Sequence, residues 1–362
     1  MILKALEVEN YRNIPAARFE PSRELTVICG KNGQGKTNLL EAVWLLTGGK
    51  SFRGAKDAEL IRENAGYAVA EGETQGFGKE SRIRVFVGGQ PGARKARTVH
   101  VNGVDYGRAA NAVGTFTAVV FDPGHLSLVK GSPEGRRRFL DAALCQLYPG
   151  YVTLLRRYSR LVTQKNALLK SYWQTPDANG LLDVFDEKLA ESGAAVSAKR
   201  QEYLALIEPE ITGTYRDIAS GSETLAIQYE PSFEPEKGLA PVLRESRARD
   251  IAAGFCTAGP HREDFSISID GRAAKVFASQ GQQRSAVLSL KLAEAAGAQK
   301  ITGEHPVMLL DDVLSELDET RQSYLLSRME HRQTIVTACD PDLFRRTSGR
   351  VYRMEGGILH AL

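Results

Sequence analysis

Cys29-Gly-Lys-Asn-Gly-Gln-Gly-Lys-Thr-Asn-Leu-Leu-Glu41 decides the reading of this chain. Gly30, Gly35, Lys36 and Thr37 fit the Gly-x-x-x-x-Gly-Lys-[Ser/Thr] phosphate loop. The context is the required one. An apolar strand, Leu25-Thr26-Val27-Ile28-Cys29, leads in. A helix from Lys36 through Leu46 leads out, with Leu39, Leu40, Val43 and Leu46 on one face. Glycines let the backbone curl so that the N–H groups of the 30–37 segment, including Lys31, Asn32, Gly33 and Gln34, turn toward phosphate oxygens. The helix N-terminus adds positive partial charge. Lys36 is expected on the β/γ-phosphates and the Thr37 hydroxyl on Mg²⁺.

The totals bound the rest. At 362 residues the chain has room for two domains, or for one with a large insertion. A net charge of +3 is mildly basic and does not by itself demand nucleic acid. Cys29, Cys145, Cys256 and Cys339 are far apart, which suits reduced thiols in a cytoplasmic protein rather than a disulfide or zinc framework. The alternating start, Met1 to Glu7, lacks the apolar core of a signal peptide, and no apolar run reaches the length of a membrane span.

Residues 66 to 121 read as a β-rich layer, with Ile83, Val85 and Val87 alternating and an Asn102-Gly103 hairpin signal. From Gly131 to about Arg216 the character turns helical. Ser132-Pro133 opens one helix, Pro149 to Trp173 holds a second, and Leu181 to Ile211 a third. These are expected to be too short for a long coiled-coil arm. Residues 131 to 173 hold eight Lys/Arg against two acidic residues, and Lys79 to Arg97 holds six against one. Either stretch has the charge to grip a phosphate backbone, and either has the composition of a solvated face. Arg136, Arg137, Arg156, Arg157 and Lys165 are the candidate DNA contacts. Strand–helix alternation resumes near the C-terminus, the pattern of an α/β sheet interrupted by a helical insertion. The expected division is 1–130, 131–255 and 256–362.

A phosphate loop needs a carboxylate for Mg²⁺ and a group that orients the attacking water. Val307-Met308-Leu309-Leu310-Asp311-Asp312 supplies both, because acids at the C-terminal end of a buried strand lie where α/β sites form. Asp311 is the expected metal ligand and Asp312, with Lys36, the expected catalytic group. Ser279-Gln280-Gly281-Gln282 precedes an amphipathic helix and resembles the signature of ABC-type ATPases, though Ser-Gln-Gly is also a plain helix cap. Ser315 and Asp318, in Ser315-Glu316-Leu317-Asp318, resemble the D-loop. One loop and one signature per chain imply a head-to-tail homodimer holding ATP between its two heads.

Several segments in order are similar to the RecF-like group of the SMC-type ABC ATPases. They include Asn10-Tyr11-Arg12-Asn13, Gly49 to Arg53, Leu128 to Pro133, Gly259-Pro260-His261-Arg262-Glu263-Asp264 and Ala278 to Arg284. The resemblance implies an ATPase head built from both chain ends with a mostly helical second lobe inserted. It implies a slow, DNA-stimulated ATPase that uses ATP and Mg²⁺ and dimerises on ATP. It also implies DNA binding near single-strand/double-strand junctions and gap repair with RecR and RecO. It places Arg12 near a nucleotide phosphate. There are departures. Gly124-His125 stands where the group has an acidic pair, which is expected to alter nucleotide sensing. Ala338-Cys339-Asp340 stands where transporter ATPases carry a histidine, which argues against a transport subunit. Asp312 is one methylene shorter than the usual ABC glutamate. A scaffold that binds ATP without hydrolysing it remains the other reading.

Overall fold

The computed structural model describes residues 1–88, 96–339 and 349–362. A hairpin opens the chain: β1 (Ile2–Tyr11) and β2 (Ile14–Phe19). β3 (Leu25–Cys29) enters the phosphate loop and α1 (Lys36–Leu45) leaves it. β4 (Ala68–Gly76), β5 (Lys79–Gly88), β6 (Ala96–Val101) and β7 (Val104–Arg108) complete an antiparallel sheet of order β2-β1-β4-β5-β6-β7. Asn102 and Gly103 both take positive φ, 52° and 81°, as the mirror-image hairpin turn requires. Arg94, Lys95 and Asp340 lie outside the described residues.

β8 (Ala118–Phe121) and the short α2 (Ser127–Lys130) lead into the helical lobe. There α3 (Pro133–Leu147), α4 (Tyr151–Lys170), α5 (Ala178–Ile218), β9 (Leu225–Glu230) and α6 (Leu239–Ala253) follow one another. Next come β10 (Asp264–Ile269), β11 (Arg272–Ala273), α7 (Ala274–Phe277) and α8 (Gln280–Thr302). The chain closes with β12 (Val307–Asp311), α9 (Glu319–Ser327), β13 (Thr334–Ala338), β14 (Arg350–Glu355) and β15 (Ile358–Ala361). β9, β10 and β11 form a small sheet, so residues beyond 256 pair with residues before it. The second large sheet has order β15-β14-β3-β13-β12-β8, parallel from β14 to β8. Both chain ends build it, with the helical lobe inserted between β8 and β12.

α1 is buried on every side because it lies between the two large sheets. Leu39, Leu40, Val43 and Trp44 share one core with Leu3, Leu6 and Val85 of the antiparallel sheet and Ile28, Leu309 and Ile335 of the parallel sheet. Alternate residues of the same parallel strands, Val27, Met308, Leu310 and Val336, meet Leu288, Leu292 and Leu325 on the opposite face. Strands covered on both faces are continuous apolar runs, as Val307 to Leu310 is.

The third helix departs from its expected end at Ile211. As α5 it has 41 residues, about 60 Å at 1.5 Å per residue, with Pro209 inside it. Pro209 and Gly213 read as breakers, yet Ile211, Thr214, Tyr215 and Ile218 carry the buried stripe past them. α5 packs closely on α8: a methyl group at Gly297 would lie 2.6 Å from Ile207 Cγ2. Ser132 sits at the start of α3 but makes no capping hydrogen bond, leaving the start to Pro133.

Candidate functional site

Four neighbouring parallel strands, β3, β13, β12 and β8, end at the same edge of the sheet. Their C-terminal ends carry the phosphate loop, Cys339, Asp311-Asp312 and Asp122. Segments as far apart in the chain as Asn32 and Cys339, 307 residues, meet there because parallel pairing puts neighbouring strand ends side by side.

The phosphate loop is held from outside. Asn13 Nδ2 donates to the Gln34 carbonyl (3.1 Å), and so does the Gly357 N–H (2.9 Å). The Gly356 N–H reaches Gln34 Oε1 at 2.6 Å. These bonds turn the Gln34 peptide oxygen away from the hollow of the loop. Gly35 has φ 115°, and a Cβ there would lie 2.8 Å from Asn13 Oδ1, so only glycine fits. Lys36 is buried, and its ammonium donates to the carbonyls of Gly30 (2.5 Å) and Lys31 (3.2 Å). Lys31, Asn32 and Gly33 are exposed on the rim.

Thr37 Oγ1 donates to Asp311 Oδ1 at 2.8 Å, and Thr337 Oγ1 donates to the same oxygen at 2.8 Å. Burial raises the Asp311 pKa above the ordinary aspartate value, while the two hydroxyls oppose that rise. The Thr337 hydroxyl also accepts the Asp312 N–H at 2.9 Å. Asp312 has φ 53°, a left-handed conformation that re-aims its carboxylate after the strand. Both its oxygens lie 4.0 Å from Cys339 Sγ, and that thiol contacts Asn32 Oδ1 at 3.0 Å and Lys36 Nζ at 3.7 Å. The sequence pattern assigns Thr337 no role here and names Cys339 only as standing where transporter ATPases carry a histidine. Their signal is the order of the parallel strands, which sequence spacing does not carry.

Arg12, at φ 51° after β1, forks onto Glu41 of α1, Nε to Oε2 at 2.5 Å and the second nitrogen to Oε1 at 3.1 Å. Glu41 is fully buried and also accepts from Tyr11 (2.9 Å) and Ser51 (2.5 Å). A buried carboxylate keeps its charge only with such partners. The Arg12 turn, the phosphate-loop helix and the Gly48–Gly54 loop are thereby tied together, and Arg53 bonds Asn38 at 2.8 Å. Glu41 interrupts the run Leu39-Leu40-Glu41-Ala42-Val43, and that interruption is the sequence signal for a paired core charge.

Ser279 begins α8 in a reciprocal cap. Its hydroxyl accepts the Gln282 N–H (3.2 Å), and Gln282 Oε1 accepts the Ser279 N–H (2.7 Å). Gln282 also donates to Glu223 at 2.9 Å. Ser279 and Gln280 are exposed, and Gly281 packs beside Arg321. Arg284 pairs with Glu316 at 2.9 Å, and Arg321 bonds both Ser285 (2.8 Å) and Asp318, which links the start of α8 to the 315–318 turn. Ser315 donates to the Asp312 carbonyl at 2.7 Å, and Asp318 caps α9. The Asp122–Leu126 turn closes on itself: Asp122 accepts the Gly124 N–H (2.7 Å), and the Asp122 N–H donates to His125 Nδ1 (3.0 Å). Burial, reinforced by Lys291, holds the His125 pKa well below its ordinary value.

Two expected DNA contacts are corrected by their burial. Lys165 is fully buried between Asp186 (2.7 Å) and Asp250 (3.1 Å), binding α4 to α5 and α6. Burial pulls its pKa down, but the carboxylates outweigh it and leave it raised. Arg136 is buried in a fork on Asp264 (2.7 and 2.6 Å). Arg137 reaches the Glu263 carbonyl at 2.7 Å, and Arg157 pairs with Glu191 at 2.9 Å on the surface. Arg156 is exposed. The Gly259–Asp264 segment is a structural knot. His261 joins Tyr158 OH (2.6 Å) to the Cys256 carbonyl (3.1 Å), and Glu263 accepts from Ser197, Tyr229 and Ser232. Among the described residues no helix is long and apolar enough to cross a membrane.

The profile of the RecF/RecN/SMC N terminal domain matches residues 2–357. The DNA replication and repair protein RecF of Ruminiclostridium cellulolyticum is 35% identical over 376 aligned residues, covering 100% of each chain. RecF of Heliobacterium modesticaldum is 37% identical, covering 99% of each. A solved structure of the recombination mediator protein RecF with ATP, from the RecFOR pathway, superposes with a TM-score of 0.90 at 33% identity, over 99% of this chain and 97% of that one. A solved Smc head bound to a ScpA domain shares the fold alone, with a TM-score of 0.57 at 16% identity. The same head, an α/β sheet closed by both chain ends around an inserted helical lobe, is built here, and the chain belongs to the RecF family of SMC-type ABC ATPases.

Proposed function

We propose that this chain is an ATP-switched DNA replication and repair protein that dimerises head to tail with ATP at the interface. The observation that carries the proposal is a division of labour within one chain. Thr37 and Asp311 meet at the phosphate loop, whereas the side chains of Ser279–Gln282 bond only within their own cap and to Glu223 among the described residues. An exposed signature without a bond to its own loop suits a site completed by a second copy. The naming of the relatives for DNA replication, repair and recombination supports the rest.

In this reading the amides of residues 30–35 and the start of α1 take the phosphates, and Lys36 exchanges its carbonyl partners for phosphate oxygens. The donor set fits Mg²⁺: a hydroxyl and a carboxylate 2.8 Å apart, with no cluster of three acidic, His or Cys groups nearby among the described residues. Thr37 and Asp311 would hold a magnesium ion together with the nucleotide, and the bound ion would supply positive charge against the phosphates. Asp312 orients the attacking water, and its short reach makes the ATPase slow, with DNA stimulating it. Arg12 contacts phosphate by giving up one of its bonds to Glu41. Ser279, Gln280 and Gly281 of a second copy contact the γ-phosphate, and Ser315 and Asp318 cross the interface beside them. The first lobe boundary lies near residue 130, and the second lies beyond β11 rather than at 255, because β10 and β11 pair with β9 in the helical lobe. The protein works in the cytoplasm near single-strand/double-strand junctions, with RecR and RecO as partners.

Two variants test the assignment. Lys36→Ala is expected to lose ATP binding and assembly together. Ser279→Arg is expected to keep ATP binding, read by fluorescent-nucleotide titration, while losing assembly. Loss of binding in Ser279→Arg would mean that the signature serves its own chain.

A further inference from the structure

We propose that the solvent-facing stripe of α4, ending at Trp173, is a track for single-stranded DNA; the proposal rests on the DNA-binding reading above and names its surface. α4 carries five Lys/Arg and no Asp or Glu. Lys165 and Arg157 are spent on carboxylates. Arg156, Arg160 and Lys170 remain, all exposed, at spacings of four and ten residues that place them on one helix face about 21 Å long. Thr163 and Ala167 lie between them, so no carboxylate of α4 interrupts the stripe. Among the described residues neither Arg160 nor Lys170 has an ion pair. Arg156 makes one long contact, 3.4 Å to Asn111, which seats this end of the stripe against the head.

Trp173 stands at the other end. It is 85% exposed, the most exposed large apolar side chain among the described residues. Tyr172 packs edge-on against it at 5.0 Å, and Tyr172 OH bonds Asn179 at 3.0 Å, so the indole has a fixed base. A large aromatic face in water gains a partner when a base stacks on it. Cations that follow a phosphate backbone, with an aromatic platform at the end, make a combination that takes unpaired nucleotides. A base inside a duplex is already stacked and offers no face. The stripe starts where Arg156 meets Asn111 of the head and follows α4 to its C-terminal end beside Trp173.

The test uses the full chain with ATP and labelled DNA: a duplex with an oligodeoxythymidylate tail, the free tail, and a blunt duplex. Trp173→Ala is expected to weaken tail binding about 5- to 100-fold, leaving the blunt duplex unaffected. The tail should also quench tryptophan fluorescence in the parent and not in Trp173→Ala, since Trp44 is only 5% exposed. Arg156→Ala/Arg160→Ala is expected to flatten the salt dependence of tail binding by about 1.4, two phosphates at ~0.7 each. ATP-driven assembly monitors folding. Tail binding that survives both variants overturns the track, as does an equal loss on blunt duplex, which would make it a duplex surface. A parent chain that binds none of the three DNAs overturns the DNA-binding reading itself.

Discussion

Asp312 owes its position to the neighbouring strand. Its left-handed backbone turns the carboxylate out of line with β12, and the Thr337 hydroxyl fixes its N–H while also holding Asp311. The expected consequence is that Asp312→Asn binds ATP normally but hydrolyses it roughly 10²-fold more slowly, the scale of a lost general base. An unchanged steady-state rate would move the base elsewhere. His261 makes a different kind of prediction. Burial lowers its pKa to about 4, helped by Arg262 and opposed by the Cys256 carbonyl. An unfolded histidine titrates near 6.5, so between those values the unfolded chain takes the proton and the folded one does not. The contribution is complete above about pH 6.5 and is lost as pH falls toward 4, up to about 3 kcal/mol. Urea unfolding at pH 7.5 and pH 5 is expected to show a smaller loss in His261→Asn than in the parent. Equal losses would mean that His261 is not held neutral.

Among the elements, the phosphate loop and the acidic strand were legible because their signals are local. Strand, glycines, Lys36-Thr37 and helix are contiguous, and Val307 to Asp312 is one run. The helical lobe was legible in kind but not in detail. α5 passes Pro209 because its buried stripe continues, and tertiary burial outweighs a breaker that local propensity would obey. Charge counting failed on Lys165 and Arg136 for a physical reason: their carboxylates lie far along the chain, Asp250 85 residues and Asp264 128 residues away. Lys165→Met is therefore expected to act on the packing of α4, α5 and α6. Removing one partner strands a buried carboxylate and costs about 3–5 kcal/mol. Thermal unfolding checks this. Weakened DNA binding at full stability would instead return Lys165 to the surface.

At the scale of the whole molecule, the proposed function divides one catalytic task between two surfaces. The sheet edge gathers phosphate loop, Asp311 and Asp312 from both chain ends, while the helical lobe positions α8 so that its capped start is exposed. In the proposed function, ATP bound between two such surfaces bridges two copies, and hydrolysis removes the bridge. A ligand shifts an equilibrium only by its differential affinity for the two states, so ATP and ADP must differ in the assembly they support. Solution mass by light scattering, with ATP, with ADP and without nucleotide, measures that difference directly. The account predicts a dimer with ATP and a monomer in the other two conditions. A monomer in all three conditions, with ATP demonstrably bound, would contradict it and reduce Ser279–Gln282 to a helix cap.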